Sequence, residues 1–199
     1  MTDYTPSGGL FWQRYSDGEG RWRSTEPSGA HLAALRRGLG RQAGDVPEMW
    51  PFYSQLRPDG SLSYALNAEH VTLSLFALHQ QGKARPMHAN GIGLGTAMLR
   101  ARDSGLYSSD GIDRRFSAAA TASGLTELTG HLRGLITQLR NVEAAGKRGQ
   151  PLDYTQLYRD LRNWQYPDRV TDVRRRWGSQ YFATRQSTPA EDPPPPATA

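Results

Sequence analysis

The residues with the clearest chemistry are arginines that recur beside apolar stripes. Arg36-Arg37 closes the run His31-Leu32-Ala33-Ala34-Leu35, Arg114-Arg115 precedes Phe116, and Arg174-Arg175-Arg176 precedes Trp177. A guanidinium is a planar fork of N–H donors that matches phosphate oxygens and stays charged at neutral pH. Set repeatedly beside buried stripes, with no matching acidic helix, such groups suit a polyanion. The composition agrees: 24 Lys and Arg against 19 Asp and Glu leave a net charge of +5 and an isoelectric point near 9.7. Arginine far outnumbers lysine, and two of the acids, Glu191 and Asp192, fall beyond the last arginine. An ordinary basic protein with solvated, salt-bridged faces has the same composition, so charge alone does not decide between the two.

Catalytic chemistry has less support. A metal-dependent nuclease needs clustered carboxylates, whereas Asp110, Asp113, Asp153, Asp160, Asp168 and Asp172 are scattered. Several read as caps or intrahelical partners, Asp172 with Arg176 for example. Among His31, His70, His79, His88 and His131, no pair has the i, i+4 spacing with an intervening acid of a zinc helix. His70 and His79 read as hydrogen-bonded structural residues. Glu69 and His70, adjacent on a helix, point in different directions. Ser104 and Ser123 stand beside turn glycines and make no nucleophile elbow. No catalytic residue, cofactor or metal is expected.

The run Gly91-Ile92-Gly93-Leu94-Gly95-Thr96 invites a dinucleotide reading and fails it. Its third glycine comes one position early, and residues 83–90 before it form no buried strand. It reads better as a basic loop feeding a helix from about Leu94 to Arg102. Lys83, Arg85 and His88 would then stand near backbone N–H groups that favour phosphate; the alternative is a plain connector. The candidate nucleic-acid contacts are therefore Arg36, Arg37, Lys83, Arg85, Arg114, Arg115, Arg133 and Arg140. The triplet Arg174–Arg176 fans around its helix, so only one or two of its members can face a ligand.

Positioning these side chains falls to helices broken by glycine and proline. Short helices are expected over 9–16 and from Ser28 to Arg37. A third opens at Asp45-Val46-Pro47, since proline is tolerated in a first turn, and carries Met49, Trp50, Phe52 and Tyr53. Residues 64–81 are apolar around most of a helical circumference and belong at the centre. Leu125, Leu128, Leu132, Leu135 and Leu139 keep a three-four spacing, with Arg133 and Arg140 sharing a stripe at the edge of that seam. Leu152-Asp153-Tyr154-Thr155-Gln156-Leu157 starts another helix, with Asp153 capping and Gln156 closing a capping box. A last helix starts near Pro167 and buries Val170, Val173, Trp177 and Tyr181. Strands are at most marginal.

The fold class is therefore all-α, a helical bundle read as two halves, 1–92 and 93–185. A proline-rich tail over 186–199 is expected to be disordered. Trp12, Trp50, Trp164 and Trp177 fall on apolar faces and read as core. Trp22, between Arg21 and Arg23, is the one candidate for base stacking. The absence of cysteine removes disulfides and thiolate zinc sites and fits a reducing cytoplasm. Residues 1–6 do not form a secretory signal, and no apolar run approaches about 18 residues, so no membrane contact is expected.

An ordered set of segments resembles a known family. Leu35-Arg36-Arg37, Asp45-Val46-Pro47 with Met49–Tyr53, Leu73–His79 and the basic loop come first. Gly93-Leu94-Gly95-Thr96-Ala97, Asp113-Arg114-Arg115-Phe116 and His131-Leu132-Arg133-Gly134-Leu135 follow, and Leu152-Asp153-Tyr154 with the Trp164 helix completes it. Across roughly residues 9–184 the chain resembles CasB, the small subunit of the type I-E CRISPR Cascade surveillance complex. The resemblance implies an all-helical, non-enzymatic subunit of an antiviral assembly built around a guide RNA. It implies contact with other Cascade subunits, with a second copy of itself, and with target DNA, especially the displaced strand of the R-loop. Arg36, Arg37, Arg114, Arg115 and Arg133 match basic positions of the family pattern. Some relatives carry a further basic residue where this chain has Gly134.

Three rival readings make different demands. An autonomous helical DNA-binding regulator needs a recognition helix reading base edges, and no short helix-turn-helix signature is visible. A nuclease needs an essential acid and a metal ion. A scaffold whose cations meet only protein neighbours would assemble independently of salt.

Overall fold

The computed structural model describes residues 9–144 and 146–183. The proline-rich tail at 186–199 lies outside the described residues. The chain folds as an all-α bundle. Its helices are α1 (Phe11–Tyr15), α2 (Gly29–Arg36), a 3-10 helix (Pro47–Phe52), α3 (Tyr64–Gln80), α4 (Leu94–Asp103), α5 (Ser109–Thr121), α6 (Leu125–Leu139), α7 (Tyr154–Trp164) and α8 (Val170–Phe182). A two-stranded antiparallel hairpin, β1 (Glu143–Ala144) and β2 (Lys147–Arg148), joins α6 to α7.

Helix starts follow the local chemistry. Ser28, Ser63, Ser108 and Asp153 each sit in extended backbone and accept a hydrogen bond from the N–H three residues on. Each thereby satisfies one of the donors a first turn leaves open. Two local expectations need correction. Gln156 does not reach back to close a capping box; its amide donates to the Asp160 carboxylate at 2.9 Å. The segment after Val46 winds as a 3-10 helix, with Pro51, which has no N–H to donate, inside it.

Helix α3 is buried around almost its whole girth and packs against α2, α6 and α7, as apolar residues spread over most of its circumference require. α4 packs against α5, α6 and α8. One continuous core, from Phe11 and Trp12 to Trp177 and Tyr181, runs through both parts of the chain. Trp164 stacks on Trp177 with centroids 5.2 Å apart, and Phe116 on Tyr181 at 4.4 Å. Trp50 is the exception among the tryptophans expected in the core. It is 51 % exposed, its indole N–H donating to the Gly44 carbonyl, because the short 3-10 turn aims Met49 and Phe52 inward instead.

The Gly91–Gly95 run serves packing. Gly91 turns the chain at φ +75°, where glycine alone is unstrained. Gly95 lies against α8 so closely that a Cβ there would meet the Trp177 carbonyl oxygen at 2.3 Å.

Candidate nucleic-acid interface

Arg133, on the exposed side of α6, lines two adjoining concavities. The first, about 580 Å³, lies between α6, α3 and the loop after α2, and has Arg41 on its opposite side. The second, about 520 Å³, lies between α6 and α5 and has Arg115 on its wall. Gly130 belongs to both. The seam leucines Leu128, Leu132 and Leu135 are buried on one side of α6, and Ile112 and Phe116 are buried on one side of α5. Burying those faces leaves Arg133 and Arg115 outside on neighbouring surfaces. Arg41, Arg133 and Arg115 thus follow one another along a connected surface, and none has a carboxylate partner among the described residues.

Buried side chains hold the Arg41 end in place. The His70 Nε2 lies 3.0 Å from the Gly38 carbonyl oxygen and 2.9 Å from that of Arg41. Two acceptors there place the proton on Nε2, so Nδ1 accepts from the Tyr53 hydroxyl at 2.7 Å. Burial pushes the His70 pKa down, which keeps the ring neutral and this arrangement fixed. Glu69 points the other way. Its carboxylate accepts from the Ser54 N–H, the Ser54 hydroxyl and the Gln55 N–H, and burial raises its pKa against those bonds. The adjacent acid and base therefore fasten the 38–55 segment onto α3 and form no catalytic pair.

The other expected contacts are placed differently. Arg114 is exposed but lines neither concavity, and Arg36 is half-buried. Arg37 pairs with Glu48 at 2.8 Å. Lys83, Arg85 and His88 do not gather at the start of α4. The Gln180 side chain already occupies that end, accepting from the Gly95 N–H at 3.2 Å. Instead Lys83 donates to the Arg140 carbonyl oxygen, and Arg140 donates back to that of Gln81. Arg85 donates to the Ala144 and Gly149 carbonyl oxygens at 2.8 and 2.6 Å. His88 is buried and accepts from the Tyr154 N–H. The expected basic loop is thus fastened to the hairpin. Charge nevertheless collects there: the Lys83 pKa is lowered by burial first and then by Arg140, Arg148 and Arg85.

Each member of the arginine triplet has a partner within the chain. Arg174 donates to the Ala122 carbonyl and lies over the Trp164 ring at 5.1 Å, and Arg175 pairs with Asp172. Arg176 passes over its expected partner Asp172 for buried Asp160 at 2.6 Å. Trp22 donates its indole N–H to the Ala84 carbonyl. Arg41 and Arg148 escaped the sequence reading because neither belongs to an arginine doublet beside a helical stripe; only the fold sets them near the others. Among the described residues no cluster of His, Asp and Glu could hold a metal ion, and no helix is long and apolar enough to cross a membrane.

Comparison with known proteins adds a family. The model for CRISPR-associated protein Cse2 matches residues 31–182. The crystal structure of CasB from Thermobifida fusca is similar over 76 % of this chain and 83 % of that one, with 31 % identity and a TM-score of 0.59. A Cse2-family CRISPR-associated protein from Thermus thermophilus is similar over 77 % and 86 %, with 25 % identity and a TM-score of 0.58. A chain of a CRISPR RNA-guided surveillance complex shares the fold over 82 % and 89 %, at 24 % identity and a TM-score of 0.55. No curated protein matches the chain.

Proposed function

The chain belongs to the CRISPR-associated Cse2 family, and on that footing we propose that it is a non-catalytic, strand-holding subunit of a type I-E Cascade complex. It lines the belly of the assembly beside guide RNA, target DNA, companion subunits and a second copy of itself, in the cytoplasm. Arginine–phosphate contacts hold the displaced strand and so stabilise the R-loop. Guide pairing supplies the sequence readout, so the strand holder needs backbone charge and no base-reading helix. R-loop formation is nearly balanced in energy, and a few phosphate contacts shift it.

The observation that carries this reading is that Arg115 and Arg133, on separate helices, wall one concavity with no carboxylate among the described residues to neutralise them. Lys83, Arg85, Arg140 and Arg148 supply further positive charge around the hairpin, and Arg36 and Arg114 stand as flanking cations. The test is the double variant R115A/R133A in the assembled complex. The displaced strand is expected to become more accessible to a single-strand nuclease. The slope of log affinity against log salt is expected to fall by about 0.7 for each phosphate that is no longer neutralised. Wild-type protection and slope would remove these two arginines from the interface.

A further inference from the structure

The concavity between α6, α3 and the loop after α2 has a lining that phosphate contacts leave unexplained. Leu39, Leu62, Val71 and Leu125 give it apolar walls, and no Asp or Glu among the described residues lines it. Leu62 is 45 % exposed, so part of that wall faces water. A phosphate gains nothing from such walls. One polar edge stands among them. The Asn67 side chain donates one N–H to Gln165 Oε1 at 3.3 Å. Gln165 is itself tied down, its amide N–H groups donating to the Tyr64 and Leu161 carbonyl oxygens at 2.9 and 3.1 Å. The orientation of the Asn67 amide is therefore set before any ligand arrives. Its Oδ1 and its second N–H have no partner among the described residues, and Asn67 is only half-buried, so both stay open to the concavity.

These features restrict the ligand. A held amide presents an acceptor beside a donor, the pattern that pairs with the edge of a nucleobase. Apolar walls suit the faces of a flat ring, and the volume of about 580 Å³ falls in the range of small-molecule sites. Arg41, from the loop, and Arg133, from α6, supply the charge for phosphates attached to such a ring. An apolar peptide would leave both guanidinium groups without an anion. We infer that this concavity receives a nucleobase turned out of the held strand, its edge on Asn67 and its phosphates on Arg41 and Arg133, an assignment that rests on the strand-holding reading above. Every nucleobase carries a donor beside an acceptor on its pairing edge, so the contact tolerates any sequence.

The test uses the full-length chain at low salt with two fluorescein-labelled probes of equal length, an oligothymidylate and an abasic deoxyribose-phosphate backbone. Wild type is expected to bind the thymidylate about five- to tenfold more tightly, the effect of one well-made amide–base pair. Thr129 lines the concavity from α6, and its hydroxyl donates only within its own helix, to the Leu125 carbonyl oxygen. Thr129→Phe therefore fills the space with no change in charge and should make the two affinities equal. Asn67→Leu keeps the shape, removes the polar edge and should reduce the preference about threefold, the loss of a neutral hydrogen bond. Arg41→Ala should weaken both probes alike. Equal wild-type affinity for both probes, or a preference that either folded variant leaves unchanged, overturns the base site while leaving the arginine track standing. Should the thermal midpoint show Thr129→Phe unfolded, Asn67→Leu decides alone. An unchanged preference in a Thr129→Phe chain that no longer enters the complex gives the concavity to a companion subunit and overturns the base site. Binding of neither probe overturns the strand-holding reading and the base site with it.

Discussion

The Arg176 guanidinium lies 2.6 Å from the carboxylate of Asp160, and the Trp177 indole N–H donates to the other oxygen of the same group at 2.7 Å. Asp160 is 1 % exposed, so a single acid on α7 fixes two consecutive residues of α8. Burial raises its pKa against the lowering effect of Trp177, Gln156 and Arg176. Asp160→Ala leaves a cation and an indole N–H without their acceptor and is expected to cost about 3 kcal/mol. Asp160→Asn should cost less, since the amide oxygen still accepts from Trp177. Urea denaturation measures both; a change within about 0.5 kcal/mol for the alanine variant would show that α7 and α8 do not depend on this link.

Gly95→Ala forces a methyl group against the backbone of α8, which cannot yield as a flexible side chain would. A loss of about 1–3 kcal/mol is expected, although alanine is the better helix former. Gly130→Ala, by contrast, should be neutral or stabilising. Thermal unfolding of the two variants gives opposite signs if the helix approach at Gly95 is as close as described.

His79 is fully buried, and burial, aided by Lys83, Arg140 and Arg85, pushes its pKa down to about 3. Below pH 6.5 the unfolded chain therefore binds a proton that the folded chain refuses. The stability is fully present above that pH and is lost as the pH falls toward the folded value, by about 1.4 kcal/mol per pH unit. The pKa values of His70 and His88, lowered by burial, act in the same direction. His79→Phe should flatten the stability profile between pH 6 and pH 4 by about one proton, while Tyr154 keeps its bond to the Leu75 carbonyl. An unchanged slope in chemical denaturation across that range would contradict the burial of a neutral ring.

Arg37 and Arg41 are four residues apart and predict different salt behaviour. Glu48 already neutralises Arg37, whereas Arg41 faces the concavity shared with Arg133. Arg41→Ala is expected to reduce the salt slope of strand binding by about 0.7, and Arg37→Ala to leave it close to wild type. Equal effects from the two would mean that the strand does not pass the Arg41 side.

Leucine spacing in 125–139, the polar caps Ser28, Ser63, Ser108 and Asp153, and the apolar girth of 64–80 are local signals. Periodicity and capping chemistry act within a few residues, so the positions of α3, α6, α7 and α8 and the all-α class were legible from the amino acids alone, while the bounds of α5 and the 3-10 winding after Val46 were not. The recurrence of arginine, and the ordered segments resembling CasB, were legible for the same reason. Which arginines remain available was not. Arg176 spans sixteen positions to Asp160, Arg85 reaches carbonyls about sixty residues away, and Trp50 is turned outward by a short 3-10 helix. Arg41, from a loop, and Arg115, from another helix, come to flank Arg133 only when α2 and α6 pack against α3 and α5 packs against α6. The chain itself determined the helices and the surplus of positive charge. Tertiary packing decided which guanidinium groups were used to hold the protein together and which were left facing a groove, because a side chain's partner is set by proximity in space and not by spacing along the chain.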